Sequence, residues 1–169
     1  MGLFINLKSE YSFCPYGCKL FNDKNDYSYW EDREETDEEK EIHNFLEKKE
    51  IENQKILHIG IGNSYIAKKL GQKNIIDGLT ISNREINYAK KLNLSNYNLF
   101  FQNKFSMNNI LDDKINYYNI IIDNNLKSYC CCEKSFQKLI FRYKNILNKN
   151  GQIITSIKGM YWSRYIKPV

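Results

Sequence analysis

Residues 55–82 read KILHIGIGNSYIAKKLGQKNIIDGLTIS, and the fold is decided there. Residues 55–59, KILHI, form a short apolar run that stops at Gly60, as a buried strand does. Residues 64–70 read as a helix, with Gly71 as its stop. Residues 74–79 read as a second strand. Between the first strand and the helix lies Gly60-Ile61-Gly62-Asn63-Ser64, where the glycines let backbone approach a ligand that a Cβ would block. Strand, glycine turn, helix and strand make one right-handed crossover of a parallel sheet.

The alternation continues on both sides. A helix over about 83–93 opens with Ser82 and Glu85 at capping-box spacing and turns Ile86 and Ala89 inward. Residues 98–102, NLFFQ, and 118–122, YNIII, are the third and fourth strands. A long helix over about 129–148 repeats Cys132, Phe136, Leu139, Tyr143 and Ile146 at helical spacing, and Gly151 terminates it. Residues 152–157, QIITSI, are the fifth strand. Before the quoted stretch, Thr36 and Glu39 start a helix whose buried stripe is Ile42, Phe45 and Leu46. The expected fold is an α/β, Rossmann-like three-layer sandwich around a mainly parallel sheet of about five strands, order 3-2-1-4-5. Residues 1–35 are aromatic-rich and lack a period; they form an arm, either a lid or a segment packed on the core edge. Residues 36–169 form the domain.

Composition bounds the partners. A chain of 169 residues closes one core. The net charge of +5 is dispersed, with an acidic run at 31–41, so there is no clear nucleic-acid signal. No apolar stretch approaches the ~20 residues that cross a bilayer, and the N-terminus lacks the pattern of a secretory signal. A soluble, cytoplasmic protein is expected. The five cysteines, Cys14, Cys18 and Cys130–Cys132, make a poor disulfide framework and fit a reducing compartment. Cys14 and Cys18 have a spacing that zinc tolerates; small buried hydrophobes are the better reading, and no metal is expected.

Doubly wound sheets bind ligands beyond the C-terminal strand ends at the switch point, here between the first and fourth strands. The glycine turn falls there, so a nucleotide-type ligand is expected, against the plainer reading of a tight turn. Tyr65 stands where the dinucleotide fingerprint needs its third glycine, and the phosphate-loop Gly-Lys-Ser/Thr is absent. A ligand without phosphate, such as S-adenosylmethionine, fits better.

Four stretches carry a resemblance. KILHIGIGNSYIAKKL (55–70) resembles the first motif of class I S-adenosylmethionine-dependent methyltransferases: Gly60 and Gly62 match, Ser64 stands where a third glycine often sits, and His58 replaces the usual acidic residue. IIDGLTISNREINYAK (75–90) resembles the second motif, with Thr80 in place of the acid that usually holds the ribose; Gly78-Leu79-Thr80-Ile81-Ser82 is similar to the cyclopropane fatty acid synthase branch. YNIIIDNNLKSY (118–129) resembles the fourth motif, and KNILNKNGQIITSI (144–157) the approach to the fifth strand.

The resemblance implies S-adenosylmethionine as cofactor and a small-molecule acceptor, a sugar or other metabolite. It implies cofactor contacts from His58, Gly60, Gly62, Asn63, Ser64, Thr80, Ile81 and Ser82, from Gln102 and Asn103 at the adenine, and from Asp123. A neutral His58 accepts one hydrogen bond but brings no negative charge; Asp123 is alternatively a cap for the next turn. No general base stands out. With two anchors altered, a non-catalytic cofactor- or partner-binding module with a degenerate fold is the alternative. Family members usually add strands after the fifth, whereas only residues 158–169 follow here. The exposed edge then needs cover from the aromatic tail, the arm or the second subunit of a homodimer.

Overall fold

The computed structural model describes residues 4–6, 35–105, 112–128, 130 and 132–161. Its elements are β1 (Phe4–Asn6), α1 (Asp37–Lys48), β2 (Lys55–Ile59), α2 (Tyr65–Leu70), β3 (Ile75–Thr80), α3 (Asn83–Lys91), β4 (Tyr97–Phe101), β5 (Tyr118–Asp123), α4 (Glu133–Ile146) and β6 (Leu147–Ile154). The sheet runs β1-β4-β3-β2-β5-β6 and every pair is parallel. The expected 3-2-1-4-5 order is therefore present as β4-β3-β2-β5-β6. One strand more, β1, pairs Phe4–Asn6 with Leu99–Phe101. It lies in the stretch read as an arm, where three residues are too few to show a period.

The sheet residues alternate between two cores. Ile56, Ile76 and Ile122 pack with Ile42 and Leu46 of α1, Ile66 and Ala67 of α2, and Ile86 and Ala89 of α3. Leu57, Leu79 and Ile121 pack with Leu139, Tyr143 and Ile146 of α4 on the other face. Burial on both faces is why β2 and β5 read as unbroken apolar runs. Within the second layer, Asp77 is fully buried; it accepts from Tyr118 Oη at 2.6 Å and Asn98 Nδ2 at 2.7 Å, with Lys114 Nζ at 3.3 Å.

Three local expectations are corrected. The stripe of α1 is Ile42, His43 and Leu46, while Phe45 is 43% exposed. α4 begins at Glu133, after its N-cap Cys132. β6 starts at Leu147, opposite Tyr118, and a bulge precedes the pairing of Gln152 with Ile120. Gly151 sits inside that bulge, where an added Cβ would lie 2.7 Å from Leu147 Cδ2, so it serves packing rather than termination. Among the described residues, no helix is long and apolar enough to cross a membrane. Cys14 and Cys18 lie outside the described residues; Cys130 is buried, which pushes its thiol up to about 12.

Candidate functional site

Because all strands are parallel, the ends of β2, β3, β4 and β5 share one crest, and α1 crosses beside it. A cavity of about 210 Å³ opens there. At ~30 Å³ for the share of one water in the liquid, that is room for several waters, space for an organic ligand rather than a lone ion.

The turn after β2 is built on left-handed backbone. Gly60 has φ +70°, Gly62 +49° and Ser64 +58°. Gly60 N–H donates to Leu79 O at 2.7 Å, which fixes the turn to β3. A Cβ built on Gly60 meets nothing within 4 Å, so the bare face of this residue looks into open space. Ser64 occupies the left-handed conformation that suits glycine, at a cost of ~1–2 kcal/mol. It is fully buried, and its Oγ lies 3.1 Å from Tyr97 Oη. Tyr97 in turn needs Gly78, where a Cβ would come within 2.6 Å of its ring. Ser64 is thus a support under the turn and lies outside the cavity lining.

Glu85 is the hub of the next wall. Ser82 Oγ caps α3 by accepting from Glu85 N–H at 3.3 Å. The Glu85 side chain does not return to its own helix end. Its Oε2 accepts from Gly62 N–H at 3.1 Å and from Thr80 Oγ1 at 2.6 Å. Thr80 Oγ1 also accepts from Ser82 N–H at 3.1 Å. Burial raises the Glu85 pKa; the bonds from Thr80 and Gly62 oppose that rise, and the charge of Glu39 adds to it. One carboxylate therefore joins the glycine turn, the end of β3 and the start of α3. Asn63, Ile81 and Ser82 line the same cavity.

Beyond β4, Gln102 and Asn103 line the cavity, and Asn103 Oδ1 accepts from Phe105 N–H at 2.9 Å. Lys104 follows, only 8% exposed. Its Nζ lies 2.9 Å and 3.2 Å from the two carboxylate oxygens of Asp123, and it donates to Asn125 O at 2.8 Å. Tyr143 Oη of α4 donates to Asp123 Oδ2 at 2.9 Å. Asp123 also caps the following turn, accepting from Asn125 N–H at 3.2 Å. It lines the cavity, yet its charge is met by Lys104 and Tyr143.

On the α1 side stand Glu35, Glu39, His43, His58 and Tyr65. Glu39 closes a complete capping box with Thr36. The Glu35 carboxylate contacts His43 Nδ1, and the His43 ring stacks on Tyr65 at 4.4 Å and 13°. His58 is 9% exposed, and its Nδ1 has no hydrogen-bond partner among the described residues. Burial, with His43 nearby, lowers its pKa to about 3, so it is a neutral imidazole at pH 7.

The cavity thus collects His58, Gly60, Gly62, Asn63, Thr80, Ile81, Ser82, Gln102, Asn103 and Asp123, and leaves out Ser64. Sequence reasoning missed Glu85, Lys104 and the Glu35–His43 pair. Glu85 was hidden by its reading as a cap, and Lys104 has no signal in a lysine-rich chain. Glu35, Glu39 and His43 recur every fourth residue, a spacing that could have marked one helix face.

No protein-family profile matches the sequence, and no curated protein matches it. Solved structures do match in fold. N-methyltransferase NodS from Bradyrhizobium japonicum WM9, solved with S-adenosylhomocysteine, has a TM-score of 0.60 at 15% identity over 79% of this chain and 67% of its own. Coclaurine N-methyltransferase, bound to N-methylheliamine and S-adenosylhomocysteine, has 0.53 at 16% over 69% of this chain and 33% of its own. The [4+2]-cyclase SpnF has 0.51 at 14% over 68% and 43%. The chain has the Rossmann-like fold of class I methyltransferases and spans less than half the length of the last two. A cyclase on this fold shows that fold alone leaves the reaction open.

Proposed function

We propose that this chain is an S-adenosylmethionine-dependent methyltransferase acting on a small-molecule acceptor. The observation that carries the reading is Gly60: its bare face opens onto the cavity at the switch point of the sheet. Two further features fit the cofactor. Glu85 supplies, from α3, the carboxylate that Thr80 lacks at the end of β3, the place of the ribose hydroxyls. His58 Nδ1, buried and unpartnered among the described residues, suits a donor on the methionyl end. Gln102 and Asn103 stand on the adenine side. The likeness of Gly78–Ser82 to the cyclopropane fatty acid synthase branch belongs to the same reading. Two of the structural neighbours are N-methyltransferases, which favours a nitrogen acceptor among small molecules.

When bound, S-adenosylmethionine supplies a methyl group on a sulfonium, an excellent leaving group. The protein's part is then positioning and water exclusion more than acid–base chemistry. Calorimetry with S-adenosylmethionine, S-adenosylhomocysteine and NAD tests the ligand class. The expected result is micromolar binding of the first two and none of the dinucleotide. NAD binding, or no binding of either sulfur compound, overturns the reading; binding without turnover over a panel of small amines and sugars points to the non-catalytic module instead.

A further inference from the structure

Most charged groups of the cavity are already committed. Lys104 and Asp123 satisfy each other, Glu39 closes the capping box of α1, and Glu85 holds the glycine turn. Glu35 is the exception. Its side chain is 14% exposed, and among the described residues its buried Oε1 has no hydrogen-bond partner. It lies against the ring of His43, which burial and the charge of Lys69 keep neutral, with a pKa lowered to about 4. Among the described residues no lysine or arginine forms an ion pair with it. Burial, then the charge of Glu39, raises the Glu35 pKa, and the exposed Lys40, Lys68 and Lys69 offset only part of that rise. A buried carboxylate in this position costs stability until a cation reaches it.

Two further acceptors of the same cavity are unspent. His58 is 9% exposed, and its Nδ1 has no partner among the described residues. The charge of His43 acts on it, so α1 and the end of β2 meet there. Asn124 Oδ1 is likewise buried without a partner among the described residues. It stands one residue beyond Asp123, which pairs with Ile59, and so beside Gly60 at the crest. The unspent atoms of carboxylate, neutral imidazole and amide can all accept. A group that completes all three carries positive charge and three N–H donors, which describes an alkylammonium.

We propose that Glu35 anchors the α-ammonium of the bound cofactor, with His58 Nδ1 and Asn124 Oδ1 as its neutral partners. The inference rests on the reading of the cavity as an S-adenosylmethionine site and adds a residue from outside the four stretches that carry the resemblance. His58 stands where the resemblance has an acidic residue, and it brings no negative charge. The residue before the α1 cap supplies that charge instead, as Glu85 of α3 does for Thr80.

S-adenosylhomocysteine and its desamino analogue share nucleoside, thioether and carboxylate and differ only in the ammonium. Calorimetry on the full-length wild-type protein is expected to show S-adenosylhomocysteine binding at least about tenfold more tightly than the analogue, the scale of one charge-assisted hydrogen bond. Glu35→Gln keeps the shape and removes the charge. It is expected to bind S-adenosylhomocysteine at least about tenfold more weakly, and the analogue within about threefold of wild type, so that the preference collapses. Should that variant fail to melt cooperatively, Glu35→Asp, which draws the charge back by one methylene, is expected to lose part of the preference. No preference in the wild type, a full preference in the variant, or equal losses for both ligands refutes the inference and leaves the cofactor reading intact. If the wild type binds neither S-adenosylmethionine nor S-adenosylhomocysteine, the cofactor reading falls and this inference with it.

Discussion

Glu85 holds two donors on one carboxylate oxygen in a place where burial already disfavours its charge. Its folded pKa lies above that of the unfolded chain, so its contribution is favourable at low pH and is lost as pH rises through the raised value. At pH 7 the ionised group costs stability, a common trade at binding sites. Glu85→Gln keeps an acceptor for Gly62 and Thr80 and removes the charge. The variant is expected to melt at or above the wild-type temperature at pH 7, with the difference shrinking as pH falls toward 4. It is expected to bind S-adenosylhomocysteine about tenfold more weakly, the scale of one charge-assisted hydrogen bond. Parallel thermal melts and calorimetry check both; wild-type affinity in the variant removes Glu85 from the ribose position. Gly60→Ala separates space from strain. Nothing stands within 4 Å of the new methyl, so the free protein loses only the ~1–2 kcal/mol of a left-handed alanine. Calorimetry is expected to show S-adenosylhomocysteine binding reduced at least about a hundredfold in protein that still melts cooperatively. Gly60 was legible in the sequence because a glycine turn between strand and helix has few other uses. Glu85 was not, because capping and ligand binding ask for the same residue at the same position.

At the scale of elements, Lys104 and Asp123 join strands that are not neighbours. β4 and β5 are separated by β3 and β2, about 14 Å at the usual interstrand spacing. The chain after β4 bends back over the crest, and the ion pair, with Tyr143 from below, fastens it to β5 and α4. Lys104→Met leaves a buried carboxylate with only Tyr143 and backbone for partners. The expected loss is about 3–5 kcal/mol in urea unfolding. Adding Asp123→Asn removes the stranded charge and is expected to restore at least about 1 kcal/mol; strictly additive losses would show that the pair is not coupled. None of this was visible beforehand. Asp123 was legible as a strand-end acid because the apolar run of β5 stops at it, whereas its partner lies nineteen residues earlier in the chain and only the topology brings them together. Periodicity likewise placed β2, β3, β4 and β5 to within a residue or two, since each is an apolar run between polar turns. β1 and the bulge in β6 depend on edge pairing, which leaves no local pattern.

For the whole molecule, the histidines connect the site to acid stability. His58 and His43 are both neutral when folded, their pKa values lowered to about 3 and about 4, chiefly by burial. In the unfolded chain each returns to about 6.5. A depressed folded pKa gives stability that is complete above 6.5 and drains away as pH falls through the interval down to the folded value. For His58, which is buried throughout, the loss between pH 6.5 and 5 is about 2 kcal/mol. His43, lowered by burial and by the charge of Lys69, adds a comparable loss over the same range. The raised pKa of Glu85 works the other way, gaining stability as pH falls, but its window lies lower, near the carboxylate range. Urea unfolding from pH 7.5 to 5 is therefore expected to show stability falling with acid, the slope rising to nearly two protons per molecule at the acid end. His58→Gln, which keeps a polar side chain and does not titrate, is expected to remove about half of that slope. An unchanged slope in His58→Gln would mean that the ring is hydrated or charged in the folded protein. That outcome would also take away the neutral imidazole on which the methionyl end of the cavity is built.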